Sequence, residues 1–137
     1  MVKKLLLMIA LLGICPAAIA SHTEKIIYHL HNTNPNSYLR TISNLENMKK
    51  GMPDHQFRIT ILFQGKSLQL LNPALHPAAL NKRFLKLVQS GIKLETSRDN
   101  YQTYAHKDQL LVTPALVPNV FDRIIELQRQ GYRYITP

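Results

Sequence analysis

The sequence predicts a single three-layer α/β/α domain built on a mainly parallel five-stranded sheet. Three observations carry that prediction. Short β-branched and aromatic runs alternate with amphipathic helical stretches. Gly closes each main helix, at Gly51, Gly91 and Gly131. The first strand is nearly continuously apolar, as strands buried on both faces of a parallel sheet are. Repeated βα units of this kind fold with helices over both faces of the sheet.

Taken in order, KIIYHLH (Lys25 to His31) reads as the first strand, buried at Ile26, Ile27, Tyr28 and Leu30. Asn32 to Asn36 is turn chemistry, with Asn36 or Ser37 able to cap a helix. That helix carries Leu39, Ile42, Leu45 and Met48 as its apolar stripe, and Gly51 with Pro53 ends it. FRITILF (Phe57 to Phe63) is the second strand and stops at Gln64-Gly65. After the mixed stretch KSLQLLNPALHP, a second helix presents Leu80, Phe84, Leu87 and Val88 on one face. IKLET (Ile92 to Thr96) is the third strand, and a short helix follows Ser97 through Tyr101 and Tyr104. LLVT (Leu110 to Thr113) reads as a brief fourth strand. Asn119 caps a third main helix whose expected apolar face is Val120, Phe121, Ile124, Ile125 and Leu127. YRYIT (Tyr132 to Thr136) is the last strand.

Ahead of this domain, the opening residues have the parts of a cleavable export signal. Lys3 and Lys4 are the positive region, Leu5 to Ile14 the apolar run, and Ala18-Ile19-Ala20 the small-residue site with cleavage before Ser21. The apolar run is too short for a span, which needs roughly 20 residues. A lipoprotein signal would acylate Cys15, but bulky Ile14 precedes it and Pro16 follows. The expected organisation is a signal at 1–20 and one domain at 21–137, periplasmic, with no membrane anchor after cleavage.

Composition narrows the chemistry. The chain has one cysteine, Cys15, which leaves with the signal, so the mature domain has no thiol for disulfides, thiolate metal sites or nucleophilic attack. Losing Lys3 and Lys4 takes Lys plus Arg from 17 to 15, and against 8 acids the mature net charge is +7. That balance favours anionic partners, although the basic residues are scattered rather than clustered, which argues against nucleic acid. Neither a G-x-G-x-x-G run nor a P-loop occurs, and no cofactor is expected.

Four segments in order, KIIYHLHN, FRITILFQG, SGIKLETSRDN (Ser90 to Asn100) and the ending LQRQGYRYITP (Leu127 to Pro137), resemble the DsrE/DsrF-like proteins. The resemblance runs from Lys25 to Pro137. It implies a five-stranded layered sheet, assembly into trimers or hexamers, and a link to sulfur compounds. In the family's sulfur-relay members a cysteine just after the third strand carries a persulfide. The matching position here is Ser97, whose hydroxyl lacks the thiolate that exchange chemistry requires.

Ligands of parallel α/β sheets bind at the carboxyl ends of the strands. The residues expected there are His31, Asn32, Asn34, Gly65, Ser97, Arg98 and Asn100, with Thr113-Pro114 at the fourth end. Amides, hydroxyls and one guanidinium suit a small anion, with Arg98 as its charge partner. The resulting expectation is a non-catalytic, homo-oligomeric binding or accessory protein. Two alternatives stay open. One is a cysteine-independent enzyme using the loop around Ser97, with no G-x-S-x-G elbow to support it. The other is a metal-binding protein using His29 and His31, which share a strand face at i and i+2 but lack a third ligand at motif spacing. Tyr101 and Tyr104 are candidates for an oligomer contact.

Overall fold

The computed structural model describes residues 22–137. The expected signal at 1–20 lies outside the described residues. Among the described residues five strands run in chain order: β1 Thr23–Leu30, β2 Gln56–Phe63, β3 Lys93–Ser97, β4 Ala115–Val117 and β5 Arg133–Ile135. They form one sheet in the order β4-β3-β2-β1-β5, and every pairing is parallel. The α/β/α architecture read from the sequence is therefore the one observed.

Among the described residues there are four α-helices, α1 Pro35–Gly51, α2 Ala78–Gln89, α3 Arg98–Thr103 and α4 Val120–Arg129. Residues of α1 and α2 pack with one face of the sheet, where Tyr38, Ile42, Leu45, Phe84 and Leu87 meet Ile26, Tyr28, Ile59, Ile61 and Leu94. Only α4, among the described residues, covers the other face, packing Val120, Ile124 and Leu127 on Ile27 and Leu62. The side follows from topology: β1 to β4 step in one direction, whereas β5 returns past β1 to its far edge. One helix of 10 residues cannot cover five strands as fully as the opposite layer does.

Several local expectations are corrected. The cap of α1 is Asn34, whose side chain accepts from the Asn36 N–H, with Pro35 in the first turn, rather than Asn36 or Ser37. Leu39 is 41% exposed. Tyr38, Ile42 and Leu45 face the sheet, and Leu39 lies about 100° round the helix from Tyr38. The stretch Gly65–Leu71 folds as a 3-10 helix that buries Ser67, Leu68, Leu70 and Leu71.

The fourth strand is Ala115–Val117, not Leu110 to Thr113. The Leu111 N–H donates to Leu71 O at 2.8 Å, which ties that segment to the end of the 3-10 helix instead of to β3. Leu110, Leu111 and Val112 pack on the main core without strand geometry. Thr113-Pro114 thus precedes β4, and the carboxyl end of that strand is Val117-Pro118. Tyr101 and Tyr104 also pack against the main core rather than standing free. On α4 the capping residue is Asn119, as expected, but Phe121 and Ile125 are 58% and 49% exposed. They flank the stripe that the sheet contact uses.

Candidate functional site

The strand ends are laced together by their own side chains. After β1, His31 is exposed, and the Asn32 side-chain oxygen accepts from the Asn34 N–H at 3.0 Å. The Asn34 side-chain oxygen in turn caps α1. After β2, the Gln64 N–H donates to Leu30 O at 2.9 Å, and Gly65 takes φ +57, a left-handed conformation that glycine adopts without strain. Ser67 Oγ accepts from the Gln64 N–H and donates to Leu30 O at 2.7 Å, fixing the second loop against the end of β1.

After β3, Thr96 Oγ1 donates to Phe63 O at 2.8 Å and accepts from Asn100 Nδ2 at 2.9 Å. Ser97 Oγ accepts from the Asn100 N–H at 3.1 Å and so caps α3. Arg98 and Asp99 are exposed on the first turn.

Of the seven residues expected at the site, Gly65 and Asn100 come together. They line a cleft of 280 Å³ with Lys66, Thr103 and Tyr104. Ser97 and Arg98 stand at the start of α3 beside it. His31, Asn32 and Asn34 belong to the β1 loop and do not line this cleft. The cation in the cleft is Lys66, which the sequence reading passed over although it directly follows Gly65. Burial pushes the Tyr104 hydroxyl up from its ordinary range, opposed by a hydrogen bond with Asn72, so Tyr104 is a neutral donor or acceptor there.

A second polar group lies where the strand order turns back, between β1 and β5. His29 is 5% exposed; its Nε2–H donates to Gln64 Oε1 at 2.8 Å, and its Nδ1 accepts from the Tyr134 hydroxyl at 2.7 Å. Burial pushes the imidazole down from its ordinary value, the Gln64 bond opposes this, and His31 adds to the lowering. Both ring nitrogens are thus engaged, leaving no lone pair for a metal that His29 and His31 would share. Their rings lie 5.4 Å apart. Among the described residues no group of three or more His, Cys, Asp or Glu side chains is placed to hold a metal ion. His29 instead bridges β5 to the end of β2, with Phe121, Ile124, Gln128 and Tyr134 around it in a shallow cleft of 240 Å³.

No family model matches the chain. No curated protein matches it in sequence. Solved structures share the fold, among them the following two. A protein of unknown function from Methanobacterium thermoautotrophicum, MTH1491, superposes with a TM-score of 0.68 at 18% identity, covering 83% of this chain and 99% of that one. A conserved protein of unknown function from Bacteroides thetaiotaomicron, BT1422, gives 0.61 at 16% identity, covering 83% and 95%. At such identities the likeness speaks for the fold alone.

Proposed function

We propose that this chain is an exported, non-catalytic binding or accessory protein of the DsrE/DsrF-like type. It works in the periplasm as a trimer or hexamer and holds a small anion, of the kind found in sulfur-compound metabolism, at the carboxyl edge of its sheet. The observation that carries this reading is the 280 Å³ cleft in which Gly65-Lys66, after β2, faces Asn100, after β3. An ammonium beside a left-handed glycine and a helix-borne amide suits an oxyanion better than an apolar molecule. Ser97 supports a binding role over relay: it occupies the position of the relay cysteine, and its hydroxyl is engaged in capping α3. The exposed Phe121 and Ile125, beside a 42% exposed Tyr134, support assembly, since closure would cover them.

Calorimetric titration with sulfite, thiosulfate and phosphate tests the reading. Lys66→Ala should weaken the bound anion about tenfold or more, the loss of one charge-assisted hydrogen bond. Equal binding by wild type and variant would reject the site. Mass spectrometry of protein from a periplasmic fraction should find a chain starting at or near Ser21, and an intact chain in the cytosol would reject export.

A further inference from the structure

The two faces of the sheet differ in chemistry, and the difference is concentrated at one end. Toward α1 and α2 the strands send Ile26, Tyr28, Ile59, Ile61 and Leu94, all buried. Alternation sends Lys25, Arg58 and Lys93 to the α4 face. α4 packs on Ile27 and Leu62, further along the strands, and leaves the amino-terminal ends of β2 and β3 outside its cover. A cleft of 330 Å³ remains there, lined by Arg58, Thr60, Lys93, Arg123, Gln130 and Tyr132 among others.

The charges in this cleft are not balanced locally. Lys25 and Arg58 are direct partners in the β1–β2 register, and Lys93 pairs with Thr60, one step along the same face from Arg58. Like charges on directly opposed residues of neighbouring strands destabilise a sheet. The acid on that face, Glu95, is held by Arg123 through two hydrogen bonds, and the third arm of Arg123 takes Glu126. Lys25 Nζ donates to Gln130 O at 2.8 Å, satisfying a carbonyl at the end of α4. Arg58 and Lys93 are exposed and, among the described residues, have no ion-pair partner. Their Cα atoms are roughly 8 Å apart by strand spacing and rise, close enough for both long side chains to reach one anion.

We propose that this cleft is a second binding site, for a small multivalent oxyanion held between the Arg58 guanidinium and the Lys93 ammonium. The guanidinium supplies the bidentate fork, the ammonium a mobile point charge, and Lys25 adds long-range attraction. The site is at the opposite end of the parallel strands from the Lys66 cleft, so the two are independent. A ligand with one charge would satisfy only one of the cations, and the pair therefore favours an anion of higher charge.

Inorganic pyrophosphate is the probe, titrated calorimetrically at low ionic strength and again at about 0.15 M salt. The expected result is saturable binding that weakens with salt and persists in Lys66→Ala, at one anion per chain in that variant. In the Lys66→Ala background, Arg58→Ala with Lys93→Ala should lower affinity about tenfold or more, whereas Lys66→Ala by itself should leave the affinity of this site unchanged. The charge-keeping pair Arg58→Lys and Lys93→Arg should retain binding within a few-fold. Both positions are exposed, and removing like-charge neighbours should leave the thermal midpoint unchanged or raise it. Absence of saturable binding would overturn the proposal. So would equal binding by Lys66→Ala with and without the alanine pair, or loss of binding in Lys66→Ala alone.

Discussion

Arg123 on α4 and Glu95 on β3 meet through two hydrogen bonds, Nε to Oε2 at 2.8 Å and Nη2 to Oε1 at 3.0 Å. Glu95 is 5% exposed, so its carboxylate depends on that guanidinium for its charge compensation. The bond to Glu95 holds the Arg123 guanidinium above its ordinary range, ahead of the smaller contribution from Glu126. The pair fixes where α4 lies across the sheet, and with it the wall of the basic cleft.

Removing one member should therefore cost more than removing both. Arg123→Leu should destabilise by about 3 kcal/mol, because a buried carboxylate is left without its partner. Adding Glu95→Leu to that variant should recover much of the loss. Urea denaturation of the two singles and the double measures this, and additive losses would refute the coupling.

Tyr38 offers the opposite case. It is 1% exposed, stacked on His76 at 4.3 Å between ring centroids, and its hydroxyl has no protein hydrogen-bond partner. Burial pushes that phenol well above its usual range. Tyr38→Phe keeps the ring and removes the unpaired hydroxyl, so stability should rise by about 1 kcal/mol. A measured loss of that size would mean that the hydroxyl has a hydrogen-bonded water in solution.

His29 gives a pH dependence with a definite sign. Its imidazole is pushed down by burial, so the folded chain resists a proton that the unfolded chain accepts below about pH 6.5. Its contribution to stability is constant above that pH, falls as the pH drops through it, and levels off once the folded imidazole also protonates. Denaturation midpoints from about pH 7.5 to about pH 5 should fall more steeply for wild type than for His29→Gln. Equal slopes would reject the assignment.

Asn119 caps α4 through its side-chain oxygen, which accepts from the Phe121 and Asp122 N–H groups at 2.8 and 3.3 Å. Asn119→Ala should destabilise by about 1 kcal/mol, and Asn119→Asp should retain most of the cap. Thermal unfolding of the three proteins distinguishes a cap from a mere loop residue.

Phe121 and Ile125 lie one turn apart on the outer flank of α4. If assembly covers them, Phe121→Glu with Ile125→Glu should shift light-scattering mass toward the monomer without lowering the unfolding midpoint of the isolated chain. A wild-type monomer at micromolar concentration would remove the premise.

The sequence by itself determined which segments pair with which period. Ile26 to Leu30 and Ile59 to Phe63 have too many consecutive apolar residues for a half-solvated strand, and the helices announce themselves through Asn119, Gly91 and Gly131. Those signals are local, so they survive being read one residue at a time. Tertiary structure decided the rest. Leu39, Phe121 and Ile125 have the right residue types for a core, yet packing takes only the stripe that meets the sheet, and helical periodicity does not set that angle. Leu110 to Thr113 reads as a strand because apolar composition alone does not choose a hydrogen-bond partner, and in the fold Leu71 O accepts from the Leu111 N–H. Gly65, Lys66 and Asn100 form one cleft only because β2 and β3 are neighbours in a sheet ordered β4-β3-β2-β1-β5. The same order places Lys25, Arg58 and Lys93 side by side, although dozens of residues separate them along the chain. Neighbourhood across strands depends on chain crossings and sheet order, and neither has a local signature in the sequence.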